Sequence, residues 1–518
     1  MITYLHAWLA EPARIHAAGK CRSISLLIGI TLSLLLVQGA VAVPTILYVA
    51  ASDGNPASKA QANYTCDGFD DQVEIQMALS ALPDGGKVVL SDGTFNCSGS
   101  IAPTAGTTLS GQGPDATIIL FSQNGRLNLS QVRVTLDGFR IEGTGYKNLS
   151  TETTLDLSQW LGVLTIYASH ARIYNVTGTA DSSIQAVFLL LHDPNVYAPP
   201  LEDIEFVNCR AVDPETYGFL HNAWGTENTT IRDVRYESCQ AINCGRNGAF
   251  NPWVTGFDFA ELNNIEGLWV SNCSAEGSLE SGFHFEWDPV KRDCVLINCS
   301  SRNNGNKPCP ETYRIGDPSI FGSGFYLPGG QVSLINCHAE GNSMFGYFIV
   351  NPNGMLLYNC TESSTGRTRI ADLPVAPISY CILQSMPISE NPSLVMEHCK
   401  SADSGGWGIF VCGTENALIR NFTMTNPAGV DGIGSILGCP SGTLLVNSTI
   451  DAGVSNSTID LSASGGGLET LLYIANNRNV TYSGRIVSDA AHPVLAEDDG
   501  ALGVDLSRLE VLPANSTE

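Results

Sequence analysis

An apolar run ending in Asn-Cys recurs through the chain and limits its fold more than any other feature. It stands at Asn208-Cys209, Asn272-Cys273, Asn298-Cys299, Asn336-Cys337 and Asn359-Cys360, with degenerate copies at Ser238-Cys239 and His398-Cys399. Weaker copies are Asn175-Val176, Asn421-Phe422 and Asn447-Ser448. The spacing is uneven, but the shortest intervals, 336 to 359 and 398 to 421, are both 23 residues. Self-similarity at this period is the mark of stacked repeats.

A second phrase interleaves with the first. Gly followed by alternating bulky residues occurs at Gly218-Phe219, Gly256-Phe257-Asp258-Phe259, Gly282-Phe283-His284-Phe285, Gly324-Phe325-Tyr326-Leu327, Gly346-Tyr347-Phe348-Ile349 and Gly408-Ile409-Phe410-Val411. In the last five, the bend Asn follows 12 to 16 residues after the Gly. Each unit therefore predicts a period-two strand, a turn, a second strand, an Asn bend and a short third segment. That leaves too few residues for helices and points to a solenoid of parallel strands.

On the G-F-x-F strands and V-x-I-x-N-C bends, roughly residues 113–485, the chain resembles the right-handed parallel β-helix proteins of the pectate-lyase-like superfamily. The expected fold class is all-β, a right-handed parallel β-helix solenoid with an N-terminal capping helix. Such a fold carries many activities, so function must be argued from the site.

Asn suits the bends because it tolerates left-handed backbone geometry, and stacked amides about 4.8 Å apart can bond to one another. Cys behind each Asn serves as a small buried hydrophobe. Single cysteines one coil apart lack the paired spacing of a zinc site. Of the sixteen cysteines, the pairs Cys66 with Cys97 and Cys239 with Cys244 are expected disulfides in an oxidising compartment.

Export is the expected address. Lys20 and Arg22 precede an apolar stretch, residues 24–37, and Ala40-Val41-Ala42 fits a cleavage site, so residues 1–42 read as a signal peptide. Residues 1–20 are long for the leading part of such a signal, which points to a start further in. With the signal cleaved, no membrane span is expected, and the chain is secreted or held at the cell surface. Fourteen N-x-[ST] sequons fit a glycoprotein. Those on ladder positions, such as Asn272, Asn298 and Asn359, should be inward or stacked and unmodified.

The formal charge of −25 argues against nucleic acid as a partner. Residues 43–112 read as an N-terminal cap: a turn at residues 67–71, a helix over 72–82 with Asp71 as N-cap and Val73, Ile75, Met77, Ala78 and Leu82 at helical spacing, then first strands. This module resembles the cap of pectate-lyase-like β-helices. A calcium loop at residues 67–71 is the competing reading, and calcium is the one cofactor the sequence leaves open. Residues 113–485 are the β-helix, and residues 486–518 a C-terminal cap and tail.

Chemistry is expected on the strand positions between the inward aromatics, since alternate side chains face out. Neighbouring coils bring Asp258, His284, Glu286 and Tyr326 onto one exposed face, and the next turn adds Trp287, Asp288, Lys291 and Arg292. Glu261, His221 and Trp224 flank them. Acids, a His, a basic pair and aromatics suit polysaccharide or cell-surface glycan, by stacking on sugar faces and by general acid–base work. The resemblance implies a lyase, epimerase or glycoside hydrolase, with Lys291, Arg292, His284 or Tyr326 acting in proton abstraction, or Asp258, Glu286 and Asp288 as clustered acids. Val290 after Asp288-Pro289 departs from the Asp-Pro-His signature of mannuronan epimerases, and the Gly-His-Gly and Asp-Asp motifs of polygalacturonases are missing. The rival reading is a non-catalytic structural or adhesive glycan-binding protein. A spike-like oligomer is a third, and the insert over residues 302–322 could wall the same face.

Overall fold

Asn298 takes the left-handed backbone (φ 53°), and so do Asn208, Asn272, Asn336, Asn359 and Asn421. At each of these bends one short strand ends and another begins. In the computed structural model the coil around Asn298 contributes Phe283–Phe285 to one sheet, and Cys294–Ile297 and Ser300–Arg302 to another. The structure describes residues 45–515 apart from 123–124, 145–160, 182–183, 224–228, 247–252, 260–262, 287–289, 307–321, 368–376, 385–388, 429–440, 447–453, 469, 475–476 and 497–501. By internal contacts the chain divides into Met1–Val43 and Pro44–Glu518, and only the second unit is described. The signal-peptide expectation therefore lies outside the described residues.

Every strand pairing among the described residues is parallel. Thirteen strands, one from each successive coil, form one sheet, and twenty-eight form the other. The chain is a parallel β-helix, as its repeats predict. At about 4.8 Å per step the thirteen-stranded stack is roughly 58 Å long. No helix of the described residues is long and apolar enough to cross a membrane.

The Asn ladder bonds as expected. Asn359 Nδ2 donates to Asn336 Oδ1 at 2.9 Å, Asn336 to Asn298 at 3.2 Å and Asn298 to Asn272 at 3.2 Å. These side chains lie stacked on the exposed edge of the bend, so the inward alternative is excluded for them. Ser238 (φ 55°) and His398 (φ 57°) hold the same geometry without an amide. There the stack of neighbouring bends imposes a backbone that the residue itself does not favour.

Behind the bends, thiols donate to carbonyls one coil back: Cys209 to Ile173 O at 3.3 Å, Cys299 to Val270 O and Cys337 to Leu296 O at 3.5 Å. All thirteen described cysteines are free. This corrects the expected Cys66–Cys97 and Cys239–Cys244 disulfides. Cys239 belongs to the ladder: its N–H donates to Cys273 Sγ at 3.3 Å, and its thiol donates to Phe206 O at 3.5 Å.

The inward aromatics form a continuous column. Phe188, Phe219, Phe257, Phe283, Phe325, Tyr347 and Tyr380 stack nearly face to face, with centroids 4.6–5.0 Å apart. The Tyr347 hydroxyl donates to Cys337 O (2.9 Å) and the Tyr380 hydroxyl to Cys360 O (2.8 Å), so both phenols are satisfied inside the core. The preceding Gly is required by packing: a Cβ at Gly324 would lie 2.6 Å from Gly346 O.

The helix runs Gln72–Ser80, two residues shorter than predicted. Ile75, Ala78, Leu79 and Leu82 join the core, whereas Val73 and Met77 are exposed. Asp71 does not cap it through its side chain. Its carboxylate instead accepts the N–H groups of Gly68 (2.9 Å) and Asn96 (2.7 Å), pinning the turn to the strand Gly93–Cys97. The parallel ladder runs from Ile46–Ala50 at one end to Leu502–Pro513, which pairs with Arg478–Ser488, at the other. It thus continues on both sides of residues 113–485.

Candidate functional site

The position between two inward aromatics is in register from coil to coil. Leu189, Leu220, Asp258, His284, Tyr326, Phe348, Cys381 and Phe410 are successive partners in the thirteen-stranded sheet. The sequence placed Asp258, His284 and Tyr326 side by side correctly. Their exposure it did not predict: Asp258 and His284 are 2% exposed and Tyr326 7%. From Tyr326 onward the column is covered on its outer side too. There Tyr326, Met344, Phe345, Phe348, Ile378, Trp407 and Phe410 make a second apolar cluster. The expected exposure of Asp258, His284 and Tyr326 is therefore corrected to burial, while Glu286 stays 34% exposed.

Within it one polar island stands out. His284 Nδ1 lies 2.9 Å from Glu280 Oε1, and its Nε2 lies 3.3 Å from Glu286 Oε1. The first is a close ion pair whose N–H direction falls short of a hydrogen bond. Donor atoms of Asp258, His284 and Glu286 all lie within 4.8 Å of one another. The side chains of Glu280 and His284 are 1% and 3% exposed, while Glu286 is 34% exposed and forms the edge open to solvent. The Tyr326 ring covers His284 at 4.7 Å, and Ser281 Oγ donates to Glu280 Oε1 at 3.2 Å.

Burial disfavours the charged imidazole, but the Glu280 carboxylate, then Asp258, outweigh it and hold His284 well above its ordinary value. Burial pushes the Glu280 carboxyl up, against the opposing pull of His284. The pair therefore keeps its proton on the ring more firmly than a free histidine does.

Glu280 was missed by sequence reasoning. It sits in the turn before Gly282, and the only signal was its spacing of four residues ahead of His284. Lys291 and Arg292 form a strand of the other sheet, in register with Ile265 and Glu266. Lys291 is buried, and Arg292 is exposed beside Glu266 at 3.6 Å. Their backbone does not belong to the Asp258–His284 column. His221 lies in the strand Tyr217–Ala223, fully buried, with Nε2 2.7 Å from the Tyr236 hydroxyl. Asp288, Trp287, Glu261 and Trp224, with most of the 302–322 insert, lie outside the described residues.

A second cluster, Cys66, Asp71 and Glu74, has donor atoms equally close. Both Asp71 oxygens accept backbone N–H groups, and burial, then Asp71, pushes the Cys66 thiol far up. Asp67 Oδ1 accepts from Phe69 N–H, and Asp70 Oδ1 from Ser98 and Gln72. In the turn that offered a calcium reading, both oxygens of Asp71 and one each of Asp67 and Asp70 are thus engaged by the chain itself.

Column, ladder and island define a parallel β-helix protein with a buried acid–imidazole cluster among its described residues. Among solved structures the chain is similar to the Azotobacter vinelandii mannuronan C-5 epimerase AlgE4 A-module, at 15% identity and TM-score 0.39, covering 84% of this chain and 96% of that one. It is also similar to the catalytic unit of a GH87 alpha-1,3-glucanase from Streptomyces thermodiastaticus (12%, TM-score 0.34, 86% and 66%). A third is the pre-mature bacteriophage phi29 gene product 12 (11%, TM-score 0.41, 83% and 55%). No family model and no curated protein matches the chain.

Proposed function

We propose that this is an exported, carbohydrate-active β-helix protein that meets polysaccharide where the Asp258–His284–Glu286 island reaches solvent at Glu286. One observation carries the reading. In a column otherwise made of Leu189, Leu220, Tyr326, Phe348, Cys381 and Phe410, the chain buries a carboxylate and an imidazole side by side. Burying charge costs several kcal/mol per ion unless it is well compensated, and local rules are broken in this way chiefly at functional sites. Glu286 is the group that touches the sugar. Asp258, His284 and Glu280 set its charge and hold its position. The chemistry is proton transfer at a sugar ring, as in a lyase, a C5-epimerase or a glycoside hydrolase. If it is a hydrolase, Asp258 and Glu286 are too close for an inverting pair, which needs about 6.5–9.5 Å.

The export address rests on the apolar stretch 24–37 and Ala40-Val41-Ala42, and with it go cleavage after residue 42 and sequon glycosylation. Sixteen cysteines without a described disulfide do not oppose it, because nearly all the described thiols are buried from oxidant. A second reading, glycan binding or surface structure without turnover, is favoured by the burial of Asp258 and His284. A panel of uronate and neutral glycans separates the two. A lyase releases unsaturated products absorbing in the ultraviolet, a hydrolase releases reducing ends, and an epimerase changes uronate composition. Turnover abolished by Glu286→Gln supports the first reading. Glycan binding without turnover supports the second, and neither binding nor turnover across the panel sinks both.

A further inference from the structure

We propose that Asp258, His284 and Glu286 form a binding site for a single divalent first-row transition cation, with Glu280 as the group that orients the histidine. Three carboxyl groups converge on one imidazole. Asp258 and His284 are almost fully buried and lie in the strands Phe257–Phe259 and Phe283–Phe285, so the sheet holds these two ligands. The arrangement around His284 is that of a metal-ligating histidine. One ring nitrogen, Nδ1, faces a buried carboxylate at 2.9 Å, and the other, Nε2, is aimed at the remaining ligands. A carboxylate behind a ligating histidine fixes the ring and raises its basicity.

Distances agree. Bonds of about 2.1 Å in a tetrahedral site put neighbouring donors about 3.4 Å apart. His284 Nε2 and Glu286 Oε1 are already 3.3 Å apart, and Asp258 completes the set within 4.8 Å. One nitrogen and two carboxylates favour zinc, manganese, iron or cobalt over calcium or magnesium, which prefer all-oxygen shells. The half-exposed Glu286 leaves the remaining coordination position on the solvent side, where water or a sugar hydroxyl or carboxylate would sit. The inference uses the same side chains as the proposed glycan site but does not depend on a glycan.

The test uses the full chain, stripped with a chelator and titrated with Zn²⁺ alone by calorimetry, then with Co²⁺ by absorption. The expected result is one zinc per chain and a cobalt spectrum free of a thiolate charge-transfer band. Glu286→Gln should weaken binding at least tenfold, and Glu280→Gln about 10–100-fold, with Ca²⁺ failing to compete. Glu286 is half-exposed, so its variant should keep the melting temperature of the metal-free chain and remain decisive if Glu280→Gln does not fold. No saturable zinc site, binding unchanged in Glu286→Gln, a cobalt–thiolate band, or Ca²⁺ displacing Zn²⁺ would each overturn the assignment. A chain that takes zinc but no glycan keeps this inference and loses the proposed function.

Discussion

His221 is enclosed by Tyr236 and Phe259, and burial pulls its imidazole down to about 3 from an ordinary 6.5. The unfolded chain takes up that proton near 6.5 and the folded chain only near 3, so between those values the unfolded state binds more protons. The stability from the neutral ring is complete above about 6.5 and falls by about 1.4 kcal/mol per pH unit as pH drops towards 3. His221→Gln, which cannot titrate, should flatten the melting temperature between pH 6.5 and 4 relative to the parent. Equal slopes in the two proteins would contradict this account of His221. Residues such as His221 and His284 show where sequence reading stops. Period two says which side of a strand a side chain takes, and it was right for the Asp258–His284–Tyr326 register. It carries no information on whether distant apolar residues such as Met344 and Trp407 cover that side.

At the scale of the element, bend and strand were legible for different reasons. The bend needs φ near +53°, the ladder adds an amide, and Asn is the residue that supplies both. The expected effect separates the two demands. Asn298→Gly keeps the backbone and loses two ladder hydrogen bonds, costing about 1–2 kcal/mol. Asn298→Ala adds left-handed strain of roughly another 1 kcal/mol. Chemical denaturation should rank the parent above the Gly variant and the Gly variant above the Ala variant, and an Ala variant as stable as the Gly variant would refute the backbone argument. The strand announces itself by Gly before an aromatic. In the aromatic column Phe283→Ala should cost about 3–5 kcal/mol, since its ring is stacked on Phe257 and Phe325. Asp71 was misread because the same side chain that could cap a helix found two strand-side N–H donors within 2.9 Å. Sequence cannot rank donors that arrive from elsewhere in the chain.

Across the whole molecule, the solenoid explains why the ladder cysteines are free. Each coil sets its thiol directly above the last, where a carbonyl accepts it. Of the thirteen described thiols, only Cys412 is not fully buried, and burial raises it to about 11. Alkylation of the native protein followed by peptide mapping should leave the other twelve unmodified, and denaturant should expose them all. Modification of ladder thiols under native conditions, or a disulfide at Cys66–Cys97, would show that the stack is not as described. The repeats specify this architecture because each coil must match its neighbours. Function has no such repetition to advertise it: the island occupies two rungs, and Glu280, which aligns it, lies off the strand.

The account turns on Glu286 as the place where the buried island meets sugar. The most direct measurement is the turnover and binding of a uronate and neutral-glycan panel by the parent and by Glu286→Gln at matched melting temperature. The account predicts product formation by the parent on at least one polymer, reduced a hundredfold or more by a change that leaves the column intact, on the scale of lost acid–base catalysis at about 10²–10⁴. Equal turnover by both proteins would contradict it.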